Sequence, residues 1–407
     1  MKNLTYFLFL SVTFLVTDIV KAQQRNSGTV PGVIIDYSAA SSGQYIGSPS
    51  ICILSNGDYV ASHDFFGPKA TERSRAVTWV FLSSNKGRTW KKISEINGQF
   101  WSTLFRLDNV LYLIGTYHEY GNLIIRKSMD DGISWSDPTS DENGLLREGR
   151  YHTAPTPVIV YNGRVWRAME HANGPSGLWA RMFGAFMLSA AVNSNLLNAS
   201  SWTTSEEIAF DSTFLNGEFG GWLEGNAVVD KNGNMLDILR VATKIEGKEF
   251  AAVIKVSADG KQSHFNPLTD FINFPGGSKK FSIRYDSSSG RYWTLSNYIP
   301  EAYSHLKNTG TVRNTLALCS SEDLTHWTVN KIILQHSDVE KHGFQYVDWQ
   351  FAGKDIILVA RTAYDDIEGG AHNYHDANFL TFHRIKKFRK QANKKVNQAI
   401  DISRASQ

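Results

Sequence analysis

The stretch from Arg150 to His171 gathers side chains able to do chemistry: Arg150, Tyr151 and His152, then Arg167, then Glu170 and His171. Tyrosine and histidine move protons, a guanidinium grips a carboxylate through two parallel bonds, and glutamate serves as acid, base or ion-pair partner. Between them lies Asn162-Gly163, a strong two-residue hairpin signal because both residues accept a positive φ. Taking it as the turn pairs 161 with 164, 158 with 167 and 155 with 170. Arg167 and Glu170 then fold back toward Tyr151 and His152. A structural ion pair on a polar loop would use the same residue types.

Two more clusters share this character. Ser62-His63-Asp64-Phe65-Phe66-Gly67 closes a hairpin, so His63 emerges at its end. Trp222, Glu224 and Asn226 stand ahead of a strand-like run whose partner ends at Arg240. Tyr117, His118, Gln345, Tyr346, Arg361, His372 and His375 hold comparable places. Flat rings for sugar faces, with planar donors for hydroxyls and carboxylates, are the mixture a carbohydrate site needs. On this basis Trp222, Glu224, Asn226, Arg240, His118, His152, Tyr346 and Arg361 are candidate substrate-binding residues. Glu170, Glu224, Asp64 and Asp348 are the carboxylates available for hydrolysis, which ordinarily needs two of them flanking the bond.

The elements that must position these residues repeat. An apolar strand, a tight turn and a second apolar strand recur at 51–62, 104–115, 157–169, 226–239, 281–295 and 349–360. Three of those turns contain Asn-Gly. A unit that cannot bury its own face, repeated every 50 to 70 residues, predicts an all-β propeller of four-stranded blades. Six units are clear. The run 33–37 is expected to complete the last blade beside 379–385, hiding both sheet edges. Turns at 83–90 and 128–135, with a degenerate third at 321–327, resemble the Asp-box turns of sialidase-like propellers. Their Asp or Asn binds turn amides, Gly takes the positive φ and Trp packs between sheets, so they carry no catalytic role.

Composition limits the alternatives. Of 407 residues, 42% are hydrophobic and 12% aromatic, too apolar for disorder and enough for a large core. The net charge is +3, yet residues 384–407 alone hold eight Lys/Arg against Asp401, leaving a mildly acidic body. No basic face for nucleic acid is expected. Lys2, the apolar run 6–16 and Val20-Lys21-Ala22 read as a secretory signal cleaved before Gln23. With no other long apolar run, the mature protein is expected to be exported, periplasmic or secreted, with no transmembrane segment. The expected division is a signal at 1–22, a propeller at 23–388 and a solvated basic tail at 389–407. Cys52 and Cys319 sit in separate strand-like runs and are read as two buried thiols, although export permits a disulfide. No metal-ligand spacing is present.

Tyr151 followed sixteen residues later by Arg167 across a hairpin, with His63 from the first unit and the WxEGN stretch at 222–226, resembles a known group. It is similar to the propellers of glycoside hydrolase family 145 and the related lyases that cleave rhamnose from glucuronate. The resemblance covers nearly the whole mature chain. It implies seven blades and an enzyme acting on the L-rhamnose-α-1,4-D-glucuronate linkage of plant-type glycans, such as arabinogalactan side chains or gum arabic. It implies no required cofactor, with a structural calcium as a family-level feature, and a monomer whose partner is an oligosaccharide or polysaccharide containing rhamnose and uronic acid. Elimination then assigns Arg167 to offset the carboxylate, Tyr151 to move the proton, and His63 as a second base or a hydrogen bond to the carboxylate. The hydrolytic members depend on a His on the opposite propeller face, where Gln44 is the match here, and an amide is no base. That departure favours elimination over α-L-rhamnosidase activity. A sialidase proper is disfavoured because the early Arg-Ile-Pro motif is replaced by Gly47-Ser48-Pro49-Ser50. A non-catalytic glycan-binding propeller is the reading from another class.

Overall fold

The chain winds into six antiparallel sheets set around one axis. The computed structural model describes residues 30–174, 178–243, 245–306 and 308–396. The signal segment and its cleavage point at Gln23 lie outside them. Blade 1 is formed by Tyr45–Ile46 and Ser50–Ile53 along the axis, then Tyr59–Phe66, Val77–Ser83 and Lys91–Asn97 outward. Blades 2 to 5 repeat the plan within residues 100–147, 151–204, 219–273 and 282–335. Blade 6 takes Gly343–Ala352, Asp355–Ala363 and Phe379–Ile385 and receives Val33–Tyr37 as its outer strand. The expected closure therefore holds. The described residues contain six blades, not the seven that the family resemblance implied.

Local chemistry accounts for the turns. In 83–90 the Asn85 side chain accepts the amides of Arg88 and Thr89, and Gly87 takes φ +88. In 128–135 the carboxylate of Asp130 accepts the Ser134 amide, with Gly132 at φ +96. Asp323 does the same for Thr325 and His326. Trp90, Trp135 and Trp327 then pack against the cores between blades.

A ring of hydrogen bonds closes around the axis. Ser50 Oγ accepts the amide of Leu104, linking blade 1 to blade 2. Thr103 donates to the carbonyl of Thr156 in blade 3, and Thr156 to that of Gly225 in blade 4. The Asn226 side chain accepts the amide of Ile283 in blade 5, whose neighbour Ser282 accepts the Trp349 indole of blade 6. Asp348 completes the ring, accepting Ser50 Oγ at 2.8 Å and the Ile51 amide at 3.0 Å. It is fully buried, so the carboxylate weighed above for hydrolysis is a structural clasp.

The start of the basic tail is tied to the propeller at a few points while Lys390, Lys394 and Lys395 stay exposed, and residues 397–407 lie outside the described residues. Phe388 is buried against Trp293 and Phe351, Arg389 pairs with Asp286, and Asn330 donates to the carbonyls of Ala392 and Lys394. Cys52 and Cys319 are separate, free and buried, and burial pushes both thiols up to about 12. No helix among the described residues is long and apolar enough to cross a membrane.

Candidate active site

The inner strands of five blades depart from regular pairing near the same end of the channel; that of blade 5 pairs regularly. In blade 3, Pro155 and Pro157 supply no amide, so the strand breaks between His152 and Ile159. Tyr161 still pairs with Arg164, as the turn predicts. Beyond the break the register has moved: His152 faces Glu170 and Tyr151 faces His171. In blade 1 the strand breaks at Gly47-Ser48-Pro49. Blades 2, 4 and 6 carry bulges in which Trp101, Glu224 and Tyr346 take φ of +48, +55 and +53. A side chain larger than Gly pays for such a backbone, and bulges of this kind re-aim side chains at functional sites. Here they direct three side chains of alternate blades into one pocket.

That pocket, about 230 Å³, lies on the axis and is walled by Asp64, Trp101, His152, Glu224, Tyr346 and Arg361, among others. Asp64 spans two breaks, one oxygen accepting the Ser48 amide and the other the Trp101 amide, each at 2.6 Å. Burial outweighs both amides and raises its carboxyl from 3.8 to about 6. Glu224 is equally buried, but Arg240 at 3.0 Å prevails and holds it below its ordinary value. Two carboxylates in one pocket are thus pushed apart, the arrangement that separates a proton donor from an ionised partner. His152 Nδ1 lies 2.9 Å from a Glu170 oxygen, and the other Glu170 oxygen accepts the Gly225 amide. The His152 ring is clamped between Trp101 and Phe183.

Three guanidiniums surround Tyr346. Arg361 and Arg313 lie 4.7 and 5.6 Å from its ring centre, and Arg240 is electrostatically coupled to it. Burial lowers Arg361 to about 10, and the backbone carbonyl of His375 anchors it. Burial and then Arg361 hold His375 down at about 3, so it is neutral at pH 7.

The predicted residues separate accordingly. Glu224, His152, Tyr346 and Arg361 line the pocket, and Arg240 backs it. His118 lies in an adjoining cleft. Trp222 is fully buried among Phe219, Phe265 and Phe271, where aromatic packing between strands claims it. Asn226 belongs to the ring of inter-blade bonds. The proposed catalytic trio is not assembled. Arg167 is fully buried and binds Thr153, Ala154 and Thr156, polar groups released by the broken strand. Tyr151 turns the opposite way, into the core beside Phe186, stacked on His171 and bonded to Arg147. His63 is fully buried between Asp36, Phe65 and Phe81. The three have no partner in common. Gln44 sits beside Lys69 on a loop of the pocket end rather than on the opposite face.

Trp101, Trp179 and Arg313 were missed. Arg313 stands two residues before the strand Thr315–Ser321, a position like that of the other rim residues. Trp101 left no sequence signal, since a bulge decides its direction. Away from the pocket, His336, His342 and Asp365 are near enough to share an ion. Their donor set is too nitrogen-rich for calcium, and His336 Nδ1 already accepts the Asp338 amide.

Asp64 gives a testable pH dependence. Its carboxyl is raised on folding, so its stabilising contribution is complete below about pH 4 and is lost as pH rises through about 6. Asp64→Asn is expected to flatten the pH dependence of the urea midpoint across that window. An unchanged slope would remove the buried-acid assignment.

No protein-family model matches the chain, and no curated protein matches it. Solved structures do. A Dyadobacter fermentans protein of unknown function superimposes with TM-score 0.57 at 12% identity, over 88% of this chain and 98% of that one. The Hadza microbial sialidase Hz136 gives 0.57 at 11%, over 87% and 68%. An α-L-arabinanase of Penicillium chrysogenum, complexed with arabinobiose, gives 0.51 at 13%, over 88% and 98%. At such identities the likeness shows the fold, a sialidase-like propeller.

Proposed function

We propose that the chain is a glycoside-cleaving enzyme whose inner pocket holds a carboxylate-bearing sugar. The observation that carries this is the convergence of Arg240, Arg313 and Arg361, from three blades, on Tyr346. Planar guanidinium donors recognise carboxylates in two-point fashion. The likeness to a sialidase and an arabinanase supports a glycan substrate.

Hydrolysis is the chemistry the pocket suits best. Asp64 gives its proton to the leaving oxygen. Tyr346 attacks the anomeric carbon as sialidase tyrosines do, its proton passing to Glu224, which shares Arg240 with it. Water then cleaves the glycosyl–tyrosine bond: its oxygen and one hydrogen stay on the sugar, its other proton goes to Asp64, and Glu224 returns to Tyr346 the proton it had taken. Elimination at a rhamnosyl-glucuronate is the second reading. It is favoured by the His152–Glu170 pair, which supplies an oriented base beside the arginines. Its carriers would be His152 and Arg361 instead of Tyr151, His63 and Arg167.

One panel tests both. The purified chain is incubated with nonulosonate-terminated, hexuronate-terminated, rhamnosyl-glucuronate and neutral arabinoside substrates. Saturated acidic sugar is the expected product. A conjugated, ultraviolet-absorbing uronate would establish elimination instead. Cleavage of the arabinoside alone would overturn the carboxylate clamp.

A further inference from the structure

The inner pocket opens onto a wider cleft of about 730 Å³ lined by Arg73, His118, Glu119, Tyr120, Arg150 and Trp179. Glu119, Tyr120 and Trp179 wall both cavities. The inner space alone falls below the roughly 300 Å³ at which small-molecule sites usually begin, so it suits one ring and the rest of a glycan must lie outside. Trp179 is 53% exposed yet held in place. Its ring centre lies 6.5 Å from that of Phe183 and 5.7 Å from the Arg240 guanidinium. A fixed, half-exposed indole is a stacking platform for a sugar face. Tyr120 takes φ +54, a strained backbone for an aromatic residue and one that recurs at binding sites. The charges of the cleft are unequal. Arg73 is neutralised by Glu119 at 3.1 Å, whereas Arg150 has no carboxylate partner among the described residues and lies 5.9 Å from the Tyr120 ring centre.

We infer that this cleft is a second sugar subsite, which holds the residue next to the one in the inner pocket and selects for an anionic group, a carboxylate or a sulfate ester, on it. Trp179 carries the ring and Arg150 the anion. The inference rests on the functional reading above only in taking the inner pocket as the point of cleavage.

The probes are disaccharides that share a terminal hexuronate and differ in the second residue: glucose, glucuronate or glucose sulfate. The shared terminus cancels the contribution of the inner pocket. Calorimetric titration into the full chain carrying Tyr346→Phe, which blocks turnover, is expected to show about tenfold tighter binding of an anionic probe than of the glucose probe. Adding Arg150→Ala brings that ratio to about one, and Arg150→Lys keeps part of it. Trp179→Ala weakens all three probes by a similar factor. Either anion giving an Arg150-dependent ratio supports the subsite and identifies its ligand. A ratio near one in the parent, or one that survives Arg150→Ala, overturns it. Wild-type chain that shows the ratio but releases no sugar sinks the cleavage reading and leaves the subsite standing.

Discussion

Changing Tyr346 to Phe is expected to lower kcat on an acidic glycoside by roughly 10²-fold or more, with KM changed little. The ring would still occupy its bulge and keep its contacts with Arg313 and Arg361. Only the oxygen is lost, and with it either a covalent step or a proton transfer. Because the arginines remain, the carboxylate of the substrate is still held, which is why binding persists while turnover falls. Steady-state kinetics on the best substrate of the panel check this. Tyr151→Phe is the control: its ring lies in the core between blades, so activity should stay within about threefold of wild type. The opposite pattern, with Tyr151 essential and Tyr346 dispensable, would refute the assignment of the pocket.

The second large effect is on stability. Asp348→Ala is expected to cost about 3–5 kcal/mol, because it removes one member of a buried, bonded set and leaves the others unpaired. The losses would be the Ser50 hydroxyl, the Ile51 amide, the Trp349 amide and the Arg284 guanidinium. The Ser50 and Ile51 bonds seal blade 6 to blade 1 at the axis, and the Arg284 bond ties blade 6 to blade 5. Asp348→Asn keeps the shape and one acceptor and should cost less. Urea unfolding followed by tryptophan fluorescence gives both numbers. A midpoint within error of wild type for the alanine variant would mean that the outer closure by Val33–Tyr37 carries the ring alone.

The order of the strands was legible in the sequence because each hairpin is local. Alternating apolar residues around Asn-Gly turns specify their own pairing, and the 33–37 run had one free edge to join. The blade count was equally local: six repeats made six blades, and the seventh came from a family resemblance and not from the residues. Residue types at the pocket were also partly legible. Glu224, Tyr346, Arg240, Arg361 and His152 stand where hairpins end, and hairpin ends face the mouth.

Direction was what only the tertiary structure decided. Strand periodicity assigns a side chain to one of two faces, and a single bulge or break reverses that assignment. Two prolines shift the register of blade 3, so His152 meets Glu170 and Arg167 is spent on carbonyl and hydroxyl groups that the broken strand leaves without partners. Tyr151 and Arg167, expected to converge at one mouth, consequently point away from each other. Left-handed backbone at Trp101, Glu224 and Tyr346 turns three residues inward that alternation alone would not. Which groups share the pocket depends on five strands from distant parts of the chain breaking near one height, and no window of sequence contains that height.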